Sequence, residues 1–137
     1  MQSLTKNKEL LSLLKESYKD LTFKEGPRFL FRPKKTIIYN LSDENFPLLI
    51  LHELGHALLE RYDFKTDIER LKIETLAWEK AKELSKEFDV KIDEDFIESK
   101  LDTYRDWLHQ KTRCKKCGLT RFQTPNGAYH CPKCDIL

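Results

Sequence analysis

The chain has 137 residues, 39% of them hydrophobic and 35% charged, with a formal net charge of +2. That suffices for one domain and a small appendage, with a modest core under a heavily solvated surface. A near-neutral balance makes no demand for nucleic acid, the opening residues Met1–Lys6 hold no apolar run of the kind a signal peptide needs, and the apolar stretch at 46–59 is too short to span a bilayer and carries His and Glu. A cytoplasmic protein with no membrane partner is therefore expected, and four cysteines in two Cys-x-x-Cys pairs read as metal ligands in a reducing compartment rather than as a disulfide framework.

In chain order, Leu10, Leu13, Leu14, Tyr18 and Leu21 recur at helical spacing and predict a packing helix over 7–21. Gly26-Pro27 then breaks the chain. Phe29–Arg32 and Thr36–Asn40 are short, aromatic and β-branched, and predict two strands joined by a turn at 32–35. The edge of the strand just before the next helix could pair with an extended peptide. Equally, the sheet could do no more than cover that helix.

Ser42-Asp43-Glu44-Asn45 supplies capping and acidic side chains at a helix start, and Pro47 suits a first turn. The predicted helix runs to about Arg61 and is apolar on nearly every side, so it should be central and buried. Within it stands His52-Glu53-Leu54-Gly55-His56. Residues four apart share a helix face, so His52 and His56 point the same way, at the spacing where two imidazoles can hold one zinc ion. Glu53 lies beside the first of them, where a general base for a zinc-bound water would sit. The plainer alternative is two core histidines satisfied by hydrogen bonds. Gly55 costs a helix about 1 kcal/mol against alanine, and close approach by a neighbouring strand or loop would offset this.

After a connection at 62–66, a helix over 67–87 carries an apolar stripe of Leu71, Ala77, Trp78, Ala81, Leu84 and Phe88. Glu74 falls near the centre of that stripe, whereas Glu69, Glu79, Glu83 and Glu87 fall on the solvent side. A core-facing carboxylate must be paired, protonated or metal-bound. With two histidines on the preceding helix, Glu74 becomes the candidate third zinc ligand; a buried salt bridge with Arg70 or Lys72 is the alternative. A connection at 89–95 leads to a closing helix over 94–111, with Ile97, Leu101, Tyr104 and Leu108 on one face and Trp107 beside them.

Composition shifts at Thr112. Cys114 and Cys117, then Cys131 and Cys134, flank thirteen residues centred on Pro125-Asn126-Gly127, where Asn-Gly favours a tight hairpin turn. Two such knuckles can bring four thiolates onto one tetrahedral structural zinc. A module this small would draw most of its stability from the metal. The division expected is residues 1–111 as one domain and 112–137 as a zinc ribbon, with two zinc ions per chain.

His52-Glu53-Leu54-Gly55-His56 followed by Glu74-Thr75-Leu76-Ala77-Trp78 resembles the ImmA/IrrE family of zinc metallopeptidases, over roughly residues 30–90. The resemblance implies an α+β, gluzincin-like core: an N-terminal helix, a small sheet, the His-Glu-x-x-His helix, the third-ligand helix and a closing helix. It implies His52, His56 and Glu74 as ligands of a catalytic zinc and Glu53 as general base. A DNA-bound transcriptional repressor is the implied class of protein substrate. In a larger peptidase group an aspartate four residues beyond the glutamate ligand orients the first histidine; here Trp78 stands there. The C-terminal ribbon is similar to that of SprT-like metallopeptidases, which act on DNA-associated proteins and use a third histidine. The only later histidines here are His109 and His130.

The expected activity is metal-assisted peptide hydrolysis: zinc acidifies a water, Glu53 takes its proton, and the leaving amine receives it back. Tyr39, Tyr62 and Tyr104 are candidates to stabilise the oxyanion. The rival reading is a non-catalytic module whose ribbon binds DNA or protein through Arg113, Lys115, Lys116, Arg121 and Lys133.

Overall fold

A computed structural model describes residues 4–32, 35–59 and 63–135. The order is α1 (Leu4–Ser17), β1 (Thr22–Glu25), β2 (Leu30–Arg32), β3 (Thr36–Tyr39), α2 (Phe46–Leu59), α3 (Asp67–Glu87), α4 (Glu94–Thr112), β4 (Phe122–Gln123) and β5 (Tyr129–His130). The fold is α+β, with four helices and two small sheets among the described residues. Contacts gather it into two units. One holds residues 1–62 and 76–92, the other 63–75 and 93–137, and α3 runs unbroken through both.

In the first unit α1 lies earlier than expected. It buries Asn7, Leu10, Leu11 and Leu14, while Leu13 stays exposed. Leu21 falls outside it, because the chain turns at Tyr18, with Leu21 N–H bonded to Tyr18 O, to enter β1. Tyr18 instead meets Phe88, with ring centroids 6.3 Å apart. The first sheet has the order β1-β3-β2, with β1 parallel and β2 antiparallel to β3. Strand β1 gave no sequence signal because Thr22-Phe23-Lys24-Glu25 is mostly exposed and lacks an apolar alternation. Its pairing corrects one expectation: β3, the strand that precedes α2, has both backbone edges filled by β1 and β2, so an added peptide cannot pair there. The turn expected at 32–35 lies partly outside the described residues.

Ile37 and Tyr39 of β3 point into the core, where Phe46 meets Tyr39 edge-on at 6.1 Å and Phe29 at 6.0 Å. Asp43 Oδ1 accepts from Asn45 N–H at 2.8 Å and Asp43 O accepts from Phe46 N–H at 3.0 Å, which starts α2. Phe46, Ile50, Leu51 and Leu54 are fully buried, so α2 is the central helix its composition predicts. Its expected end at Arg61 lies outside the described residues. Along α3, Ala77, Trp78, Ala81 and Leu84 are buried, and Ile73 and Ser85 join them. The helix ends at Asp89, whose φ of 54° lets Val90 N–H bond back to Ser85 O.

In the second unit Asp93 caps α4 by accepting from Phe96 N–H, and Ile97 and Leu101 are its buried residues. Strands β4 and β5 pair antiparallel, Phe122 opposite His130 and Gln123 opposite Tyr129. The hairpin turn differs from an Asn-Gly pair. Gly127 N–H bonds to Thr124 O, so Pro125 and Asn126 are the central residues, and Gly127 alone is left-handed at φ +92°. Proline's fixed φ suits the first central position, and the glycine then carries the bulge. The ribbon is tied to the start of α3: Gln123 Oε1 accepts from Asp67 N–H at 2.7 Å, and Tyr129 and Lys111 both reach the Asp67 carboxylate, at 2.6 and 2.9 Å. Burial alone would raise the Asp67 pKa, but those two bonds and the charges of Lys111 and Arg70 outweigh it and hold the carboxyl below its ordinary value. No helix among the described residues is long and apolar enough to cross a membrane.

Candidate metal centres

Helical geometry brings His52 and His56 together, with ring centroids 4.7 Å apart. The His52 ring is fixed by Trp78, which is 2% exposed and stacks on it at 4.2 Å with an interplanar angle of 8°. The tryptophan therefore holds the plane of the His52 imidazole by contact. Glu53 is 9% exposed, with Oε1 3.6 Å from His52 Nδ1, longer than a hydrogen bond.

Gly55 explains how α3 comes so near. A Cβ built there would lie 2.5 Å from the carbonyl oxygen of Ala77. The close neighbour is thus a helix backbone, not the strand or loop expected. Gly55→Ala is expected to force this contact apart at about 1–3 kcal/mol, well above the propensity it would gain. Thermal unfolding checks it. A melting temperature several degrees below wild type is expected, and an unchanged or raised value would contradict the packing.

One turn before Trp78 on the same helix stands Glu74. One donor atom from each of His52, His56 and Glu74 lies within 4.8 Å of the others, and all three residues are half-buried. Two imidazoles and a carboxylate are a donor set suited to a first-row divalent metal, with three protein ligands and room for a fourth. The Tyr104 hydroxyl is held above its ordinary pKa by burial and by the charge of Glu74, with Arg70 acting in the opposite sense. Of the other tyrosines considered, Tyr39 is buried in the sheet, its hydroxyl pKa raised by burial and by Glu25, and Tyr62 lies outside the described residues.

The second cluster is Cys114, Cys117, Cys131 and Cys134, whose sulfurs also lie within 4.8 Å of one another. Cys114 and Cys134 are 3.9 Å apart and Cys117 and Cys131 3.5 Å, and none is in a disulfide. Sulfurs at 2.3 Å from a tetrahedral zinc would be about 3.8 Å apart, so the spacing fits. The knuckles are prepared for thiolates. Lys133 and Cys134 N–H groups point at Cys131 Sγ, at 3.4 and 3.3 Å. Backbone N–H groups of Cys117 and Lys116 lower the Cys114 thiol to about 6. Cys134 is pushed the other way, to about 12, first by its bond to the Cys117 thiol, then by burial and the remaining sulfurs. Four crowded sulfurs resist joint ionisation, and a cation at their centre removes that conflict. His130 is outside the cluster, its ring 5.5 Å from Phe122.

Comparison of the chain with protein-family models, with curated proteins and with solved structures found no match in any of the three. The functional reading therefore stands on the two clusters. Both could bind metal.

Proposed function

We propose that the chain is a zinc-dependent endopeptidase that cleaves a protein partner, a DNA-bound repressor being the class its resemblance suggests. The observation that carries this reading is the approach of His52, His56 and Glu74 to within 4.8 Å of one another on α2 and α3, with Glu53 next to the first ligand. Zinc held there would supply an acidified water and a Lewis acid for a peptide carbonyl. His52 and His56 would hold it through ring nitrogens and Glu74 through a carboxylate oxygen, leaving a position open. Trp78 keeps the His52 ring in plane. Glu53 takes a proton from water and returns it to the leaving amine. On this reading residues 1–111 form a gluzincin-like catalytic part, and the ribbon at 112–137, with a second zinc on its four cysteines, recognises the partner.

A second reading has one observation in its favour. The ribbon exposes Leu119 and Phe122, 46% and 55% accessible, among the exposed cations Arg113, Lys115, Lys116 and Lys133. An aromatic among cations suits nucleic acid, and a non-catalytic binding module would need no more. The zinc-loaded full chain, incubated with an unfolded protein such as casein, separates the two. Cleavage that a chelator stops and zinc restores is expected. Chain loaded with two zinc ions that cleaves nothing while binding nucleic acid would favour the module.

A further inference from the structure

The two histidines and Glu74 are not held alike. His52 is clamped by a ring on its face and His56 follows from the helix. Glu74 is a half-buried side chain with three rotatable bonds, and fixing such a chain costs rotamer entropy. Its neighbour from α4 is Tyr104, half-buried on the same helix face as the buried Ile97 and Leu101, with its ring 5.5 Å from the guanidinium of Arg70, one turn before Glu74. We infer that Tyr104 is the positioning residue for Glu74, aiming one carboxylate oxygen at the metal by donating its hydroxyl hydrogen to the carboxylate. The inference rests on the metal reading of the His52, His56 and Glu74 cluster, and goes beyond it by naming what orders the third ligand.

The neighbours of Tyr104 give it a fixed aim. Arg70 stands one turn before Glu74 on α3, and its charge acts on the phenol in the opposite sense to that of Glu74. Its guanidinium lies over three rings, 5.7 Å from the centroid of Phe64, 5.5 Å from that of Tyr104 and 5.1 Å from that of Trp107. A planar, always charged group so surrounded has little freedom. Its charge beside the ring polarises the phenol and would strengthen the hydrogen bond donated to Glu74. A carboxylate has two oxygens, so one can accept from Tyr104 while the other faces the histidines. The same bond takes Tyr104 out of the set of free oxyanion donors, because its one proton is already committed. Arg70, offered by the sequence as a salt-bridge partner for Glu74, acts here through the phenol.

Tyr104→Phe tests the role, because it keeps the ring under Arg70 and removes only the hydroxyl. Zinc affinity would be measured on the full chain by competition with a chromophoric chelator, with the four-cysteine site filled. The expected result is a 10- to 100-fold weaker affinity at the histidine site, with the cysteine site unchanged. In a Glu74→Ala background the same change should cause no further loss, a result that general damage to the fold would not give. Equal affinity in Tyr104→Phe and wild type, or an undiminished further loss in the Glu74→Ala background, would overturn the role. His52→Ala is the control. If it leaves the zinc count unchanged, the metal reading and this role fall together. If it loses one zinc and Tyr104→Phe binds as tightly as wild type, only the role of Tyr104 falls.

Discussion

Glu53→Gln should leave two zinc ions bound and lower the rate of peptide cleavage by about 10²–10⁴-fold. Glutamine has the shape of glutamate but cannot accept a proton at neutral pH, so the change isolates proton transfer. Glutamine also has nearly the volume of glutamate, so the swap keeps the packing of a side chain that is almost fully buried on α2. Turnover of an unfolded protein by the zinc-loaded chain gives the rate, and zinc analysis of the same sample shows that the metal is retained. Cleavage within tenfold of wild type, with both metals present, would remove Glu53 from the mechanism.

The second large effect is expected at the ribbon. Cys131 is 2% exposed, and its sulfur accepts two backbone N–H bonds and sits 3.5 Å from that of Cys117. Strands β4 and β5 are two residues each, and Phe122 is exposed, so the ribbon has little apolar core to fall back on. Structural zinc contributes apparent binding energies of about 10–16 kcal/mol in modules of this kind, nearly all of it folding energy. Cys131→Ser should therefore lose one zinc and unfold the hairpin, loosening the backbone at Lys115, Lys116 and Arg121 so that trypsin cuts there under conditions in which wild type resists. The loss should also free the start of α3, because Gln123 and Tyr129 would release Asp67. Equal trypsin resistance and an unchanged zinc count would show that the ribbon folds by other means.

Helices were the legible part of this chain. The apolar stripes of α3 and α4 are local signals, and both helices lie where those stripes put them. Clusters were legible because spacing along one element fixes direction: histidines four apart on α2, and cysteines two by two on a hairpin. What stayed hidden was non-local. Strand β1 exists by pairing with β3, which four mostly exposed residues do not announce. That same pairing closes the edge offered as one of two uses for the strand, peptide pairing, and leaves the other, a sheet that covers the helix. Gly55 signalled a close approach but not its partner, since the contacting atom is a backbone carbonyl 22 positions later. The stacking of Trp78 on His52 and the placing of Tyr104 beside Arg70, one turn from Glu74, join separate helices. The only trace of the second in the sequence was a tyrosine, with its polar tip, on an otherwise aliphatic stripe.

Anomalous diffraction at the zinc edge, from crystals of the full chain grown with zinc, tests the central claim most directly. Two peaks per chain are predicted, one among the four cysteine sulfurs and one within about 2.0–2.2 Å of a nitrogen of His52, a nitrogen of His56 and an oxygen of Glu74. A single peak at the cysteines, with Glu74 turned away and nothing between the two imidazoles, would contradict it.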